Sequence, residues 1–495
     1  MDPLRRAATS GAAFSLVSIV GMRAFGFLTT FFLTHVLNQD DFGRYALILS
    51  YNAVGVLVAG LGVTIIAPKL IAETVPPDRP PGPDTQAILR SFLTIAGVAA
   101  LVVGLIVTLC ATAIRGALAA NGASWSMLGV LGLTVAATSL SAAIAAMLQG
   151  LHRTRELAIF NTLIAGLYLL AAIPAARAFG VTGAVATLAA CHGVVMLAAL
   201  AWLPPGARQP LLSAKTREVL ARGVNLGWPL LVSSLALAMS GSWLRTWLGK
   251  SVSVAEVGRF QVADTLNQAI LFVPLALATP LFPLASTMGR ATPEERARVF
   301  GPAFAFIALL SLPATLVVGW GSRFWIGLFN AEYHAAWPVV YLLTAGYFLT
   351  SLTTITGALL AGFGLMMDSL KITVFWSALL ALSAMLLAPR YGAMGVAAGY
   401  VVSAIIQTAV MAIYYRRRLG IRLLAAPRVL VLFPILFALG WWLLGNVSPL
   451  SGLLLAIPAS GLVLLTSLDL TRRAISHLLR WIRPTTTVDA GAGPA

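Results

Sequence analysis

Three ionisable residues sit where charge is costly. Arg23, Arg245 and Asp264 each fall inside a run of apolar residues long enough to cross a bilayer. An Arg at a bilayer centre costs about 2.5–3.5 kcal/mol on insertion scales, so it must face a wet cavity or a partner. The guanidinium fork holds two oxygens at once, which suits a phosphate or pyrophosphate group. Arg23 and Arg245 are therefore candidate ligands for an anionic group, and Arg245 has two further readings. It can pair with Asp264 or reach to the membrane surface. Asp264 is the one carboxylate placed well inside a run, and it is either a coupling-ion site or the partner of Arg245. Asn52 and Asn267 carry the same ambiguity: each can bind a sugar from a cavity wall or hydrogen-bond between helices. His192 and Gln407 share it too.

Soluble chemistries do not fit the remaining polar residues. His35, His152, His192, His334 and His477 are scattered, with no metal pair at helical spacing. Gly249-Lys250-Ser251 mimics the end of a phosphate-binding loop, but the glycine that loop requires five residues earlier is Leu244. Cys110 and Cys191 lie in apolar runs and read as small buried hydrophobes. No cofactor or metal is expected.

The elements that must hold these residues follow from composition. Of 495 residues, 59% are hydrophobic and 10% are charged, and the mean hydropathy is +0.90. A soluble domain carries roughly 25% charged residues. The apolar runs give fourteen candidate spans: 11–37, 42–70, 88–114, 124–149, 157–177, 181–203, 224–248, 255–284, 299–320, 335–363, 370–388, 393–415, 428–444 and 450–468. Each approaches or exceeds the roughly 20 residues of a spanning helix. The first is too long for a signal-peptide core and reads as a retained helix.

The net charge of +17 fits this map without nucleic acid. With Arg5 and Arg6 in the cytoplasm and sides alternating, the outer segments hold only Arg44, Arg115, Arg177, Lys250, Arg259, Arg323 and Arg390. Arg23 and Arg245 lie within spans, and all other Lys and Arg fall on the cytoplasmic side, as the positive-inside rule requires. Both termini are expected in the cytoplasm. The last basic stretch, Leu470–Arg483, alternates apolar and basic faces and reads as a helix resting on anionic lipid, or as ordinary positive-inside charge. Pro-rich loops at Glu73–Asp84 and Leu203–Pro210 punctuate the chain, and Pro229, Pro274, Pro280, Pro283, Pro302 and Pro313 should bend spans 7 to 9.

The halves resemble each other. Asp41-Phe42-Gly43-Arg44-Tyr45 follows span 1, and Glu256-Val257-Gly258-Arg259-Phe260 follows span 7, 215 positions on. At that offset Asn52 falls on Asn267. Phe179-Gly180-Val181-Thr182-Gly183-Ala184 precedes span 6, and Tyr391-Gly392-Ala393-Met394-Gly395-Val396 precedes span 12, at an offset of 212. Each junction puts glycine where a helix stops and the chain turns. A unit of six helices is even, so the second copy starts on the same side as the first, the plan of a two-lobed transporter around an axis along the membrane normal.

Gly11, Ser15, Arg23, Gly26-Phe27 and Asp41-Phe42-Gly43-Arg44-Tyr45, with the two Gly turns before spans 6 and 12, resemble the Wzx-type polysaccharide flippases of the multidrug/oligosaccharidyl-lipid/polysaccharide (MOP) exporter superfamily. The resemblance covers roughly residues 1–415. It implies an all-α integral membrane protein with two six-helix lobes in a V around a central cavity, here 1–205 and 206–420, two extra helices over 421–470 and a basic tail over 471–495. It implies a flippase of the cytoplasmic (inner) membrane, not an enzyme, that moves undecaprenyl-pyrophosphate-linked oligosaccharide to the outer leaflet by alternating access. Spans 1 and 7 line the cavity in that family, which makes Arg23 and Arg245 expected substrate contacts, with Asn52 and Asn267 of spans 2 and 8 as symmetry-related candidates for the sugars. Partners would be the lipid-linked glycan, anionic membrane lipids and polysaccharide polymerase machinery. Two other members of the superfamily remain open: a cation-coupled multidrug exporter, which would use Asp264, and a lipid II flippase, which shares the fourteen spans but has more basic residues in its N-terminal helices. A membrane glycosyltransferase or polymerase would need longer loops than any here.

Overall fold

The computed structural model describes residues 3–75, 81–109, 125–207, 214–272, 291–424 and 426–466, together with 274, 275, 277, 281, 285 and 288. Cys110, Arg115, Pro280, Pro283, positions 76–80 and 208–210 of the two Pro-rich loops and the basic tail lie outside them. Among the described residues every regular element is a helix.

Fifteen α-helices follow in order among the described residues. They are α1 (Pro3–Val36), α2 (Gln39–Gly60), α3 (Val63–Ala72), α4 (Pro83–Leu109), α5 (Trp125–Gly150), α6 (Thr154–Ala199), α7 (Ala214–Ser251) and α8 (Val254–Asn267). Then come α9 (Pro293–Trp320), α10 (Ser322–Gly327), α11 (Trp337–Thr353), α12 (Thr356–Gly362), α13 (Met366–Tyr414), α14 (Pro427–Asn446) and α15 (Pro449–Thr466). Nine helical stretches among the described residues are long and apolar enough to cross a membrane by length and composition.

Two of those stretches, in α6 and α13, are each two spans. Gly180 (φ 60°, ψ −142°) and Gly392 (φ 58°, ψ −140°) adopt nearly the same non-helical conformation, one essentially closed to residues with a Cβ. A Cβ on Gly183 would collide with the Ala175 carbonyl oxygen, and one on Gly395 with that of Leu387. Residues eight apart in a straight helix are about 12 Å apart along its axis, so the chain folds back at both sites. In α13 the returning arm is tied to the first, since Ser383 Oγ donates to the Gly399 carbonyl at 3.1 Å. The paired Gly turns of the sequence are thus paired helical reversals.

Span 2 differs from its expectation as one long run over 42–70. It breaks at Leu61 (φ 49°) and Gly62 (φ 72°), which divide α2 from α3. The cause is a crossing with α7, where a Cβ on Gly227 would lie 2.5 Å from the Gly62 carbonyl oxygen. Backbones touch there, and Gly62 also takes the left-handed conformation that glycine tolerates. In span 8 the α-helix ends at Asn267 and continues as a 3-10 turn over Gln268–Leu271.

By their contacts the residues divide into two compact units. The first comprises Met1–Leu266, Gly327–Val339 and Met366–Ser403. One buried cluster in it packs Val63, Ile66, Leu70, Leu89, Phe92, Ile144, Met147, Phe160 and Ile164. The second comprises Asn267–Ile326, Val340–Leu365 and Ala404–Ala495. In it the helices beyond the repeat dock on α9 and α11: Trp320 Nε1 donates to the Leu436 carbonyl at 3.1 Å, and Tyr341 donates to that of Phe437. Gly440 permits this approach. A helical side chain leans over the turn before it, and a Cβ at 440 would lie 2.7 Å from the Tyr341 hydroxyl. Phe348 stacks on Phe433 with ring centroids 4.3 Å apart.

Candidate translocation site

The site residues hang on the two duplicated junctions of the first unit. Asn38 caps α2 by accepting from the Asp41 N–H at 2.8 Å, and Ser253, 215 positions later, accepts from the Glu256 N–H at 3.2 Å. Arg44 pairs with Asp41 at 2.6 Å, and Arg259 pairs with Glu256. The helices then cross at their paired glycines. A Cβ on Gly43 would strike the Val254 carbonyl, and one on Gly258 would lie 2.7 Å from the Gln39 carbonyl oxygen. The two contacts exchange under the same offset, the signature of a local two-fold relation between the repeats. Glu256 does one thing more: its Oε2 accepts the Ala393 N–H at 2.8 Å, capping the helix arm that follows the Gly392 reversal.

Arg245, on α7, meets two residues of one face of α8. Its Nη2 lies 3.0 Å from Asp264 Oδ2, and the two side chains are 15% and 13% exposed. Nε donates to Gln261 Oε1 at 3.1 Å and Nη1 to the Gly241 carbonyl at 3.2 Å. The Phe260 ring lies 5.6 Å from Cζ. Of the readings open to Arg245, the geometry realises the ion pair. Gln261 was not singled out by the sequence reading, although its spacing of three from Asp264 places both on one helical face.

Arg23 is exposed on α1, within a span whose neighbours Gly21 and Phe25 approach Thr162 and Gly166 of α6. The two asparagines lie elsewhere than on an open surface. Thr138 of α5 donates to Asn52 Oδ1 at 3.1 Å, and Asn267, fully buried, donates to the Val340 carbonyl at 3.1 Å. Each ties helices together within its own unit. His192 and Gln407 are half-buried.

Further polar ties that sequence spacing does not reveal run between α2 and α7. Tyr51 bonds Thr246 at 2.5 Å, and Ser242 donates to the Ser50 carbonyl at 2.8 Å. Tyr45 and Tyr168 share a bond of 2.7 Å between α2 and α6. Polar side chains between membrane helices commonly serve this purpose.

Apolar spans, two spans folded at a glycine in each of α6 and α13, and duplicated helix junctions define a multi-pass membrane protein built by internal duplication. The chain belongs to the polysaccharide biosynthesis protein family, which matches residues 8–289. No curated protein matches it in sequence. Its fold is shared by solved membrane transporters of low sequence identity. The lipid II flippase MurJ in an inward closed conformation aligns with a TM-score of 0.71 at 11% identity, over 93% of this chain and 99% of that one. An inward-facing multidrug resistance MATE transporter of the MOP superfamily aligns at 0.66 and 17% identity, over 81% of this chain and 94% of that one. A MOP-superfamily transporter from Pyrococcus furiosus aligns at 0.52 and 16% identity, over 85% and 96%.

Proposed function

We propose that the protein is a flippase that carries an undecaprenyl-pyrophosphate-linked oligosaccharide from the cytoplasmic to the outer leaflet of the inner membrane. It acts as a secondary-type transporter rather than an enzyme. The observation that carries this reading is Arg23, an exposed guanidinium inside an apolar span of a polysaccharide biosynthesis family member. A pyrophosphate supplies paired oxygens to the planar fork of such an exposed guanidinium. The duplicated junctions support two six-helix repeats, 1–205 and 206–420, with helices over 421–470 and a tail over 471–495 outside them, and the distribution of Lys and Arg supports cytoplasmic termini. The buried bonds of Asn52 and Asn267 take them out of the ligand set we propose, and Arg245 serves to hold α7 on α8 through Asp264.

A cation-coupled drug exporter is the second reading, favoured only by the embedded carboxylate of Asp264. The experiment is a flip assay in liposomes, comparing wild type with Arg23→Ala at equal protein level. Loss of glycan-lipid transport in the variant supports the assignment. Unchanged transport and expression would remove Arg23 from the site.

A further inference from the structure

The C-terminal end of α13 is built differently from the other helix ends. Its last turn, Tyr415–Leu419, is a π-helical turn, and Gly420 closes it in the left-handed conformation (φ 70°). The inner side of the turn is held fast. Tyr415 is fully buried, donates to the Thr356 carbonyl at 2.8 Å and packs edge-on to Phe304, with ring centroids 6.0 Å apart. Leu419 and Ile421 are buried beside it. A wide turn anchored at Tyr415 and Leu419 leaves Arg416, Arg417 and Arg418 all exposed. Rare π-turns of this kind often mark functional positions.

An open apolar groove runs up the helix from two of these arginines. It is lined by Val410, Ile413 and Tyr414, with Arg417 and Arg418 at its foot. Ile413 is 54% exposed, and the spacing of these residues places them on one face. At the start of α14 the pattern recurs, with Arg428 beside Val431 and Leu432. No acidic residue occurs between Asp368 and Asp469. The start of α9 packs on Gly420 and brings Glu294 and Glu295, of which Glu295 is committed to capping Thr292.

We infer that the π-turn of α13 and the groove above it form a binding site for an anionic glycerophospholipid. The phosphate sits at Arg417 and Arg418, and an acyl chain lies along Tyr414, Ile413 and Val410. The charge complement is one-sided, the groove is apolar as an acyl chain requires, and basic clusters at the ends of membrane helices attract anionic headgroups. The site is distinct from the translocation residues and does not depend on what the protein transports.

The test is phospholipid retention by the full-length protein, purified from mixed micelles of phosphatidylglycerol and phosphatidylcholine and measured by native mass spectrometry. Wild type should retain phosphatidylglycerol preferentially. Arg417→Gln/Arg418→Gln should lower that retention about thirtyfold, and Arg155→Gln/Arg217→Gln, at exposed basic positions of the first unit, should leave it unchanged. Equal loss in the Arg155/Arg217 variant, or none in the π-turn variant, would overturn the site. Should the π-turn variant fail to fold, wild type decides the matter: retention that survives excess inorganic phosphate supports a lipid site, whereas displacement by phosphate alone, or preference for undecaprenyl phosphate, overturns it.

Discussion

The ion pair of Arg245 and Asp264 offers a quantitative test. Both side chains are less than a fifth exposed, and the pair closes at 3.0 Å. Removing one partner of a buried pair costs about 3–5 kcal/mol, because the other charge remains desolvated and unmatched. Arg245 would keep Gln261, the Gly241 carbonyl and the Phe260 ring after Asp264→Leu, so the lower end, about 3 kcal/mol, is expected. Arg245→Met should cost a similar amount. The double variant replaces a charged pair with apolar groups of like size, and such replacements are often neutral. It should therefore be more stable than either single variant, so the coupling in the double-mutant cycle should exceed about 3 kcal/mol in magnitude. The assay is unfolding of the purified protein in one detergent, followed by tryptophan fluorescence. Singly additive losses, with coupling near zero, would refute the structural role of the pair. Asp264→Asn that keeps stability but abolishes gradient-driven transport would instead make Asp264 the coupling site.

Gly392→Ala should destabilise by about 1–3 kcal/mol for its backbone conformation alone. It should cost more than Gly180→Ala, because a Cβ at 392 would lie 2.8 Å from Glu256 Oε2 while that at 180 meets nothing within 4 Å; paired melting curves check the order. Glu256→Ala removes the cap on Ala393 and should cost about 1 kcal/mol in the same assay. Gly440→Leu should push α14 off Trp320 and Tyr341, with a loss of about 1–3 kcal/mol from overpacking and faster proteolysis near α14.

The parts of the fold legible in the sequence are those set by local chemistry. Apolar runs mark the spans, and Gly180 and Gly392 mark the reversals because few other residues adopt their conformation. The junctions at Asp41 and Glu256 are legible as repeats because acid, glycine, arginine and aromatic keep one offset. The break at Leu61 and Gly62 is not legible, since it is imposed by the backbone of Gly227 far along the chain. Asn52 and Asn267 match at the repeat offset whether they line a cavity or bond between helices, and only their partners Thr138 and Val340 decide. Arg245 is similar: an embedded arginine signals a requirement, and whether Asp264 or an anion meets it depends on how α7 packs on α8.

The most direct measurement is transport by the wild-type protein in liposomes, supplied in turn with undecaprenyl-pyrophosphate-linked oligosaccharide, lipid II and an organic cation. The account predicts that the linked oligosaccharide crosses to the opposite leaflet without nucleotide. Efflux of the cation with no movement of any glycan lipid would contradict it.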